Sequence, residues 1–153
     1  MKITPKKLRV VLNLWFPFLF SGIKVLEIKS DWSYAKVRLR RRWYNQNAVG
    51  THFGGSLFAM TDPFCMLLTL YRIKKTHIVW DKKAEIKFIK ATKKVVFAEF
   101  HIPESMLQGW LEQLKTQDKI EPQLEVDIKD GDGILIAKVW KTLYIANKNT
   151  QKS

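Results

Sequence analysis

Polar and apolar residues alternate from Ile23 to Ile28 and again from Tyr34 to Arg41, where Ala35, Val37 and Leu39 fall on one face and Lys36, Arg38 and Arg40 on the other. Period-two alternation marks a strand with one face in a core, so two half-buried strands are predicted. The pattern returns over residues 78–90, 94–102, 119–129 and 134–146, as in Ala84, Ile86 and Phe88 or Val96, Ala98, Phe100 and Ile102. Asp130-Gly131-Asp132-Gly133, between the last two, is a hairpin signal. These segments predict an antiparallel sheet.

Three stretches carry helical patterns instead. Between Gly54 and Tyr71 the only charge is Asp62, and Leu57, Phe58, Met60, Phe64, Met66, Leu67, Leu68 and Leu70 cover every side of a helical wheel. A helix that is apolar all round is buried or spans a membrane. Burial is preferred, because a span would carry Asp62 at mid-bilayer at a cost of roughly 2.5 to 3.5 kcal/mol. Residues Pro103 to Lys115 form a short amphipathic helix with Met106, Leu107, Trp110, Leu111 and Leu114 on one side.

Pro5 to Gly22 reads as an N-terminal helix, amphipathic or mostly buried. Lys2, Lys6, Lys7 and Arg9 ahead of an apolar run imitate the opening of a signal peptide. Pro17 interrupts that run, bulky Phe18, Leu19 and Phe20 precede Ser21-Gly22, and no small-x-small cleavage pattern follows, so the signal-peptide reading is set aside. The run also falls short of the ~20 residues a span needs. Its expected role is packing, with peripheral membrane contact as the second role open to a basic amphipathic segment. Residues 147–153 are expected to be a flexible tail. The architecture predicted is α+β: a long central apolar helix wrapped by a curved antiparallel sheet of five to six strands, in one domain over residues 1–153.

Composition adds constraints. With 153 residues, 46% of them hydrophobic, the chain can build a core, which excludes a disordered or linker-dominated protein. A single cysteine, Cys65, forms no intramolecular disulfide, which fits a reducing, cytoplasmic setting. It reads as an inert core thiol. His52, His77 and His101 lie too far apart for a local metal motif, and Asp127 to Gly133 lacks the order of a calcium loop; no metal is expected. The net charge of +13 points to an anionic partner: nucleic acid, a membrane surface or a phosphorylated small molecule.

Chemistry concentrates in Asn47, Gly50, Thr51, Phe53, Gly54, Gly55 and Asp62, a glycine-rich loop leading into the apolar helix with one carboxylate about two turns along. The first amides of a helix lack intrahelical partners and favour negative charge, so Gly54 and Gly55 suit a carbonyl oxygen turning oxyanionic. In apolar company Asp62 would have a raised pKa, suiting a general base or nucleophile. A purely structural reading stands beside this one: Asp62 as N-cap with Pro63 at the first helical position, and Gly54-Gly55 as a tight turn.

The stretch Asn47-Ala-Val-Gly-Thr-His-Phe-Gly-Gly-Ser-Leu-Phe-Ala-Met-Thr-Asp62 resembles the Asn-x-x-Gly-Thr-x-His-Gly-Gly signature, with its Asp further on, of hotdog-fold acyl-CoA thioesterases of the phenylacetate-pathway type. Asp62-Pro63-Phe64, Ile78-Val79-Trp80-Asp81-Lys82-Lys83-Ala84 and Lys141-Thr142-Leu143-Tyr144 look closer still to a hotdog subfamily catalogued only as a domain of unknown function. The resemblance covers nearly the whole chain. It implies a hotdog fold, with the extra N-terminal helix added, and a homodimer or homotetramer with active sites at the subunit interface. It implies hydrolysis of an acyl thioester such as acyl-CoA, with no cofactor beyond the substrate's own coenzyme A. Asn47 and the Gly54 amide would engage the thioester carbonyl beside Gly55, and Asp62 of the neighbouring subunit would activate water or attack. Thr51 and His52 would line the entrance. Phe53 stands where these thioesterases usually carry His.

Coenzyme A phosphates would suit the basic surplus, with Lys82, Lys83, Lys90 and Arg72 as candidate contacts. A non-catalytic acyl- or lipid-binding protein is the alternative, motivated by Phe53 and the basic, aromatic N-terminus. Arg38 to Arg42 with Trp43 and Tyr44 interleave bases and aromatics as single-strand binders do. Alternation on one strand gives the same pattern, so no nucleic-acid partner is expected.

Overall fold

A computed structural model describes residues 3–148. Seven antiparallel strands form one sheet: β1 (Ile23–Ile28), β2 (Tyr34–Leu39), β3 (His77–Phe88), β4 (Val96–His101), β5 (Lys119–Ile120), β6 (Gln123–Asp130) and β7 (Leu135–Asn147), in the order β1-β2-β4-β6-β7-β3 with β5 also on β7. Among the described residues five helices accompany it: α1 (Pro5–Leu14), α2 (Phe16–Ser21), α3 (Gly54–Ala59), α4 (Phe64–Ile73) and α5 (Glu104–Gln113). The alternation translates directly into burial. Ala35, Val37 and Leu39 of β2 and Val96, Ala98 and Phe100 of β4 all face the core. The strand count exceeds the expected five to six because Pro122, which has no N–H for the ladder, divides the run over residues 119–129 into β5 and β6.

The helical layer expected as one helix over residues 54–71 is in two pieces. Pro63 supplies no amide and biases Asp62 away from the helical region, so α3 stops at Ala59 and α4 restarts at Phe64. The turn between them is closed by Thr61 Oγ1 donating to Phe58 O at 2.8 Å and Asp62 N to Ala59 O at 3.1 Å. Both pieces stay in the core through Leu57, Met60, Phe64, Cys65 and Leu68, and α4 lies against β2, β3, β4 and β7. Pro17 divides the N-terminal helix in the same way, at Trp15. Gly22 then turns the chain into β1 at φ +78°; a Cβ there would stand 2.3 Å from Asn45 Nδ2, so only glycine fits.

The two edges of the sheet are treated differently. On β1, the Asn13 carboxamide accepts from Val25 N at 2.7 Å and donates to Val25 O at 3.0 Å, and Arg9 donates to Leu26 O at 3.0 Å. Side chains of α1 thus close that edge. At the other end β3 pairs only with β7, and no described residue bonds to its outer edge. At the C-terminus, Asn147 of the expected tail closes β7 and donates to Leu114 O at 2.9 Å, while residues 149–153 lie outside the described residues.

Phe64 joins the layers, with its ring 6.0 Å from Phe18 of α2 and 4.9 Å from Phe100 of β4. Phe64→Ala is expected to lower unfolding free energy by about 3 to 5 kcal/mol, read as a reduced denaturant midpoint with an unchanged slope.

Candidate active site

The loop before α3 is held by one side chain. Asn47 Oδ1 accepts from Thr51 N at 2.9 Å and Val49 N at 3.2 Å, while its Nδ2 donates to Thr51 Oγ1 at 2.8 Å and His52 O at 3.2 Å. Both lone pairs of the carboxamide oxygen and both of its N–H groups are thus spent on its own loop. His52 is buried, with Nε2 2.7 Å from Lys94 O and Nδ1 without a partner among the described residues. Burial holds its imidazole below the ordinary 6.5, a pull the bond to Lys94 offsets only in part.

This loop delivers the chain to Gly54 and Gly55, whose amides have no hydrogen-bond partner among the described residues. A Cβ on Gly54 would lie 3.0 Å from the Phe88 ring, and one on Gly55 2.4 Å from the exposed Phe53 ring. Both glycines are therefore set by aromatic groups pressed on the backbone. Asn47, Thr51, His52, Gly54 and Lys90 line one cleft of about 330 Å³, walled by Phe88 at the end of β3. Of the bases suggested by the sequence, only Lys90 is there. Lys82 pairs with Glu121 at 2.6 Å, Lys83 with Glu85 at 3.4 Å, and Arg72 donates to Ile102 O at 2.6 Å and binds Glu104. A larger hollow of about 530 Å³ on the outer face of β2, β4 and β6 holds none of the sequence-predicted residues.

Asp62 lies in a different setting from the apolar one expected. Its side chain is 58% exposed, in the turn before α4, and its Oδ1 accepts from Lys141 Nζ at 2.9 Å. It does not cap α4, whose N-cap is Pro63. Lys141 sits on the core face of β7 with its side chain only 2% exposed, and its ammonium also stands 3.3 Å from Asp81 Oδ2. A bulge in β3 between Asp81 and Lys83 makes this contact. It leaves Lys82 and Lys83 both in solvent, so that Asp81 and Ala84 both turn inward. Burial pushes the Asp81 carboxyl above its usual range although Lys141 pulls the other way. Burial also works against the Lys141 charge, and the two carboxylates outweigh it, holding the ammonium above 10.5. Cys65 nearby is a core thiol pushed up to about 12 by burial.

Lys141 and Asp81 were not among the sequence-predicted site residues. The signal for Lys141 was present: residues 137, 139, 143 and 145 alternate as buried apolar positions, and a lysine completes their series.

Within one subunit the two halves stand apart. Gly54 and Asp62 are separated by eight residues, on the order of 12 Å if helical. On the sheet Phe88 is opposite Ala137 whereas Ala84 is opposite Lys141, about 13 Å along β7.

A family profile described as "Domain of unknown function (DUF4442)" matches residues 6–145. No curated protein matches the chain. Among solved structures, a probable thioesterase of unknown function from Pseudomonas aeruginosa superposes with a TM-score of 0.82 at 16% identity, covering 96% of this chain and 98% of that one. A thioesterase from Haemophilus influenzae gives 0.68 at 12% identity over 100% and 97%, and zebra fish thioesterase superfamily member 2 gives 0.64 at 14% identity over 95% and 99%. At these identities the likeness establishes the hotdog fold.

Two expectations follow from the local electrostatics. Because the unfolded chain binds a proton at position 52 more readily than the folded one, the stability tied to neutral His52 is present above 6.5 and lost as pH falls below it. His77 moves the same way, so the melting temperature of His52→Gln compared with wild type from pH 7.5 to 5 isolates the effect: the variant's decline is shallower. Lys141→Met, which strands two carboxylates, is expected to cost about 3 kcal/mol in denaturant unfolding and much less when Asp62→Asn and Asp81→Asn are already present.

Proposed function

The chain belongs to the DUF4442 family, and on that premise we propose that it is an acyl thioester hydrolase whose active sites form where two subunits meet. The observation that carries this reading is the Gly54 amide, unpartnered among the described residues and lining a cleft walled by Phe88 at one end of the open edge strand β3, with Asp81, and Asp62 joined to it through Lys141, toward the other end. Antiparallel pairing of two β3 strands about an axis near Ala84 and Glu85 sets the Phe88 end of one against the Trp80–Asp81 end of its partner. Each cleft then faces a carboxylate of the other subunit. Neighbours in the same fold that are called thioesterases support the assignment.

In this arrangement the thioester carbonyl oxygen accepts from the Gly54 amide, which has no competing acceptor and gains most as the oxygen becomes anionic. Asp62 takes a proton from water as the water oxygen adds to the carbonyl carbon. The C–S bond then breaks and the proton passes to the leaving sulfur, giving carboxylic acid and thiol. Direct attack by Asp62 is the nucleophilic variant of the same geometry. Lys141 holds Asp62 in place through its 2.9 Å contact, and Asn47 acts through the loop whose amides it fixes. Thr51 and His52 shape the cleft wall, Phe53 covers Gly55, and acyl-CoA is the natural substrate class because Lys90 stands at the cleft to meet a phosphate.

Thiol release from acyl-CoA substrates of graded chain length tests the chemistry: Asp62→Asn should lower kcat by about 10² to 10⁴ while the protein stays folded. Release equal to background from wild type at every length removes the hydrolase and leaves an acyl-binding protein, read by retention of acyl-CoA. The shared site has its own readout. Asp62→Asn and Asn47→Ala subunits, unfolded and refolded together, should regain about a quarter of wild-type activity, because each mixed dimer carries one intact site. No recovery on mixing removes the interface site.

A further inference from the structure

Helices α1 and α2 bury one stripe, Leu8, Leu12 and Phe18, and leave a second stripe of large apolar side chains in solvent. Phe16 is 69% and Phe20 66% exposed, their rings 5.7 Å apart, and Val10, Leu14 and Trp15 of the same two-helix segment are exposed as well. Exposed apolar patches of this kind mark an interaction surface.

The structure adds a neighbour that sequence order conceals. Asn45 Nδ2 donates to Ser21 O at 2.7 Å and to Arg40 O at 3.0 Å, and its Oδ1 accepts from Arg42 N. The loop 40–45 is therefore fastened to the end of α2. It presents Trp43, 83% exposed and edge-on to Tyr44 at 5.4 Å, together with Arg40 and Arg42. The two helices and this loop, residues 5–21 and 40–45, carry Lys6, Lys7, Arg9, Arg40, Arg41 and Arg42 and no acidic residue.

We propose that this face, made by the outer stripe of α1–α2 and the loop 40–45, docks on an anionic lipid bilayer. Apolar side chains at the tip, aromatic rings beside them and a guanidinium fringe without acids match the acyl, interfacial and phosphate layers of such a surface in that order. Docking is peripheral: among the described residues no helix is long and apolar enough to cross a membrane. A second copy of the chain is the competing occupant. The open edge for a copy is β3, whereas α1 and α2 pack on β1, five strand spacings or about 24 Å across the sheet. The loop fastened here runs on through Gln46, which Arg41 contacts, into the wall of the cleft.

Cosedimentation of the full chain with vesicles of phosphatidylcholine, alone or mixed with phosphatidylglycerol, tests this without any substrate. Wild type should partition onto the mixed vesicles and not the neutral ones, with binding falling as salt is raised. Phe16→Ser with Phe20→Ser, and separately Arg40→Gln with Arg42→Gln, should each lower the partition coefficient by about tenfold or more. Both pairs are solvent-facing, and unchanged circular dichroism and melting temperature confirm that each variant is folded. Failure of wild type to bind mixed vesicles at low salt overturns the proposal. So does binding that is indifferent to the phenylalanine pair, which would make the contact purely electrostatic. A drop in solution mass caused by that pair assigns the face to a second copy and overturns it as well.

Discussion

A lysine ammonium on the core face of β7 is the constraint around which the irregular parts of this protein are arranged. Positions 137, 139, 143 and 145 of β7 are fully buried and apolar, and Lys141 stands among them. Removing an ammonium from water costs several kcal/mol, and only well-placed carboxylates return it. Those carboxylates come from two places where regular structure gives way: the turn that divides α3 from α4, and the bulge at Lys82. Without the turn, Asp62 would lie on a continuous helix; without the bulge, Lys83 rather than Ala84 would follow Asp81 inward and set two ammonium groups together. Helix break and strand bulge therefore serve one cation, which fits the tendency of such departures to gather at functional sites.

The opposite end of the same layer is built on a complementary rule. There the chain offers the Gly54 and Gly55 amides without acceptors, beside a buried imidazole whose Nε2 is bound to Lys94 O and an aromatic wall. Among the described residues no carboxylate lines that cleft. An unpaired amide in apolar surroundings gains strongly when charge develops on a nearby oxygen, and a carboxylate of the same subunit close by would cancel the gain. Separation of acid and donors within one chain is thus useful, provided another chain closes the distance.

How far the sequence reveals this depends on which physical rule each residue obeys. Strands of β2 and β4 are legible because one-sided burial enforces a period of two, and Val37 or Ala98 has no other place to go. The apolar run from Leu57 to Leu70 shows a buried layer, and Asp62-Pro63 offers a helix start within it, but a helix apolar on every side has no change of phase to say that the chain breaks there. Lys141 fits the alternation of its strand, yet a lysine ordinarily implies solvent, and its partners lie 79 residues away at Asp62 and on another strand at Asp81. The glycine loop is legible as a site, whereas the assignment of Asn47's carboxamide to its own loop is not, because the same residue type serves a local turn and a ligand equally well.

The two edges of the sheet carry the argument for assembly. An exposed strand edge is a template for unwanted pairing, and this chain answers it at β1 with the Asn13 carboxamide and the Arg9 guanidinium, which occupy the edge groups of Val25 and Leu26. At β3 it leaves twelve residues open, the strand that holds Asp81 at one end and Phe88 at the other. Among the described residues, then, side chains close the shorter edge and none closes the longer one. Because β3 spans both halves of the candidate site, an antiparallel partner copy paired about the axis proposed above would bring acid and amide ends together, so that one pairing would serve both the backbone and the chemistry.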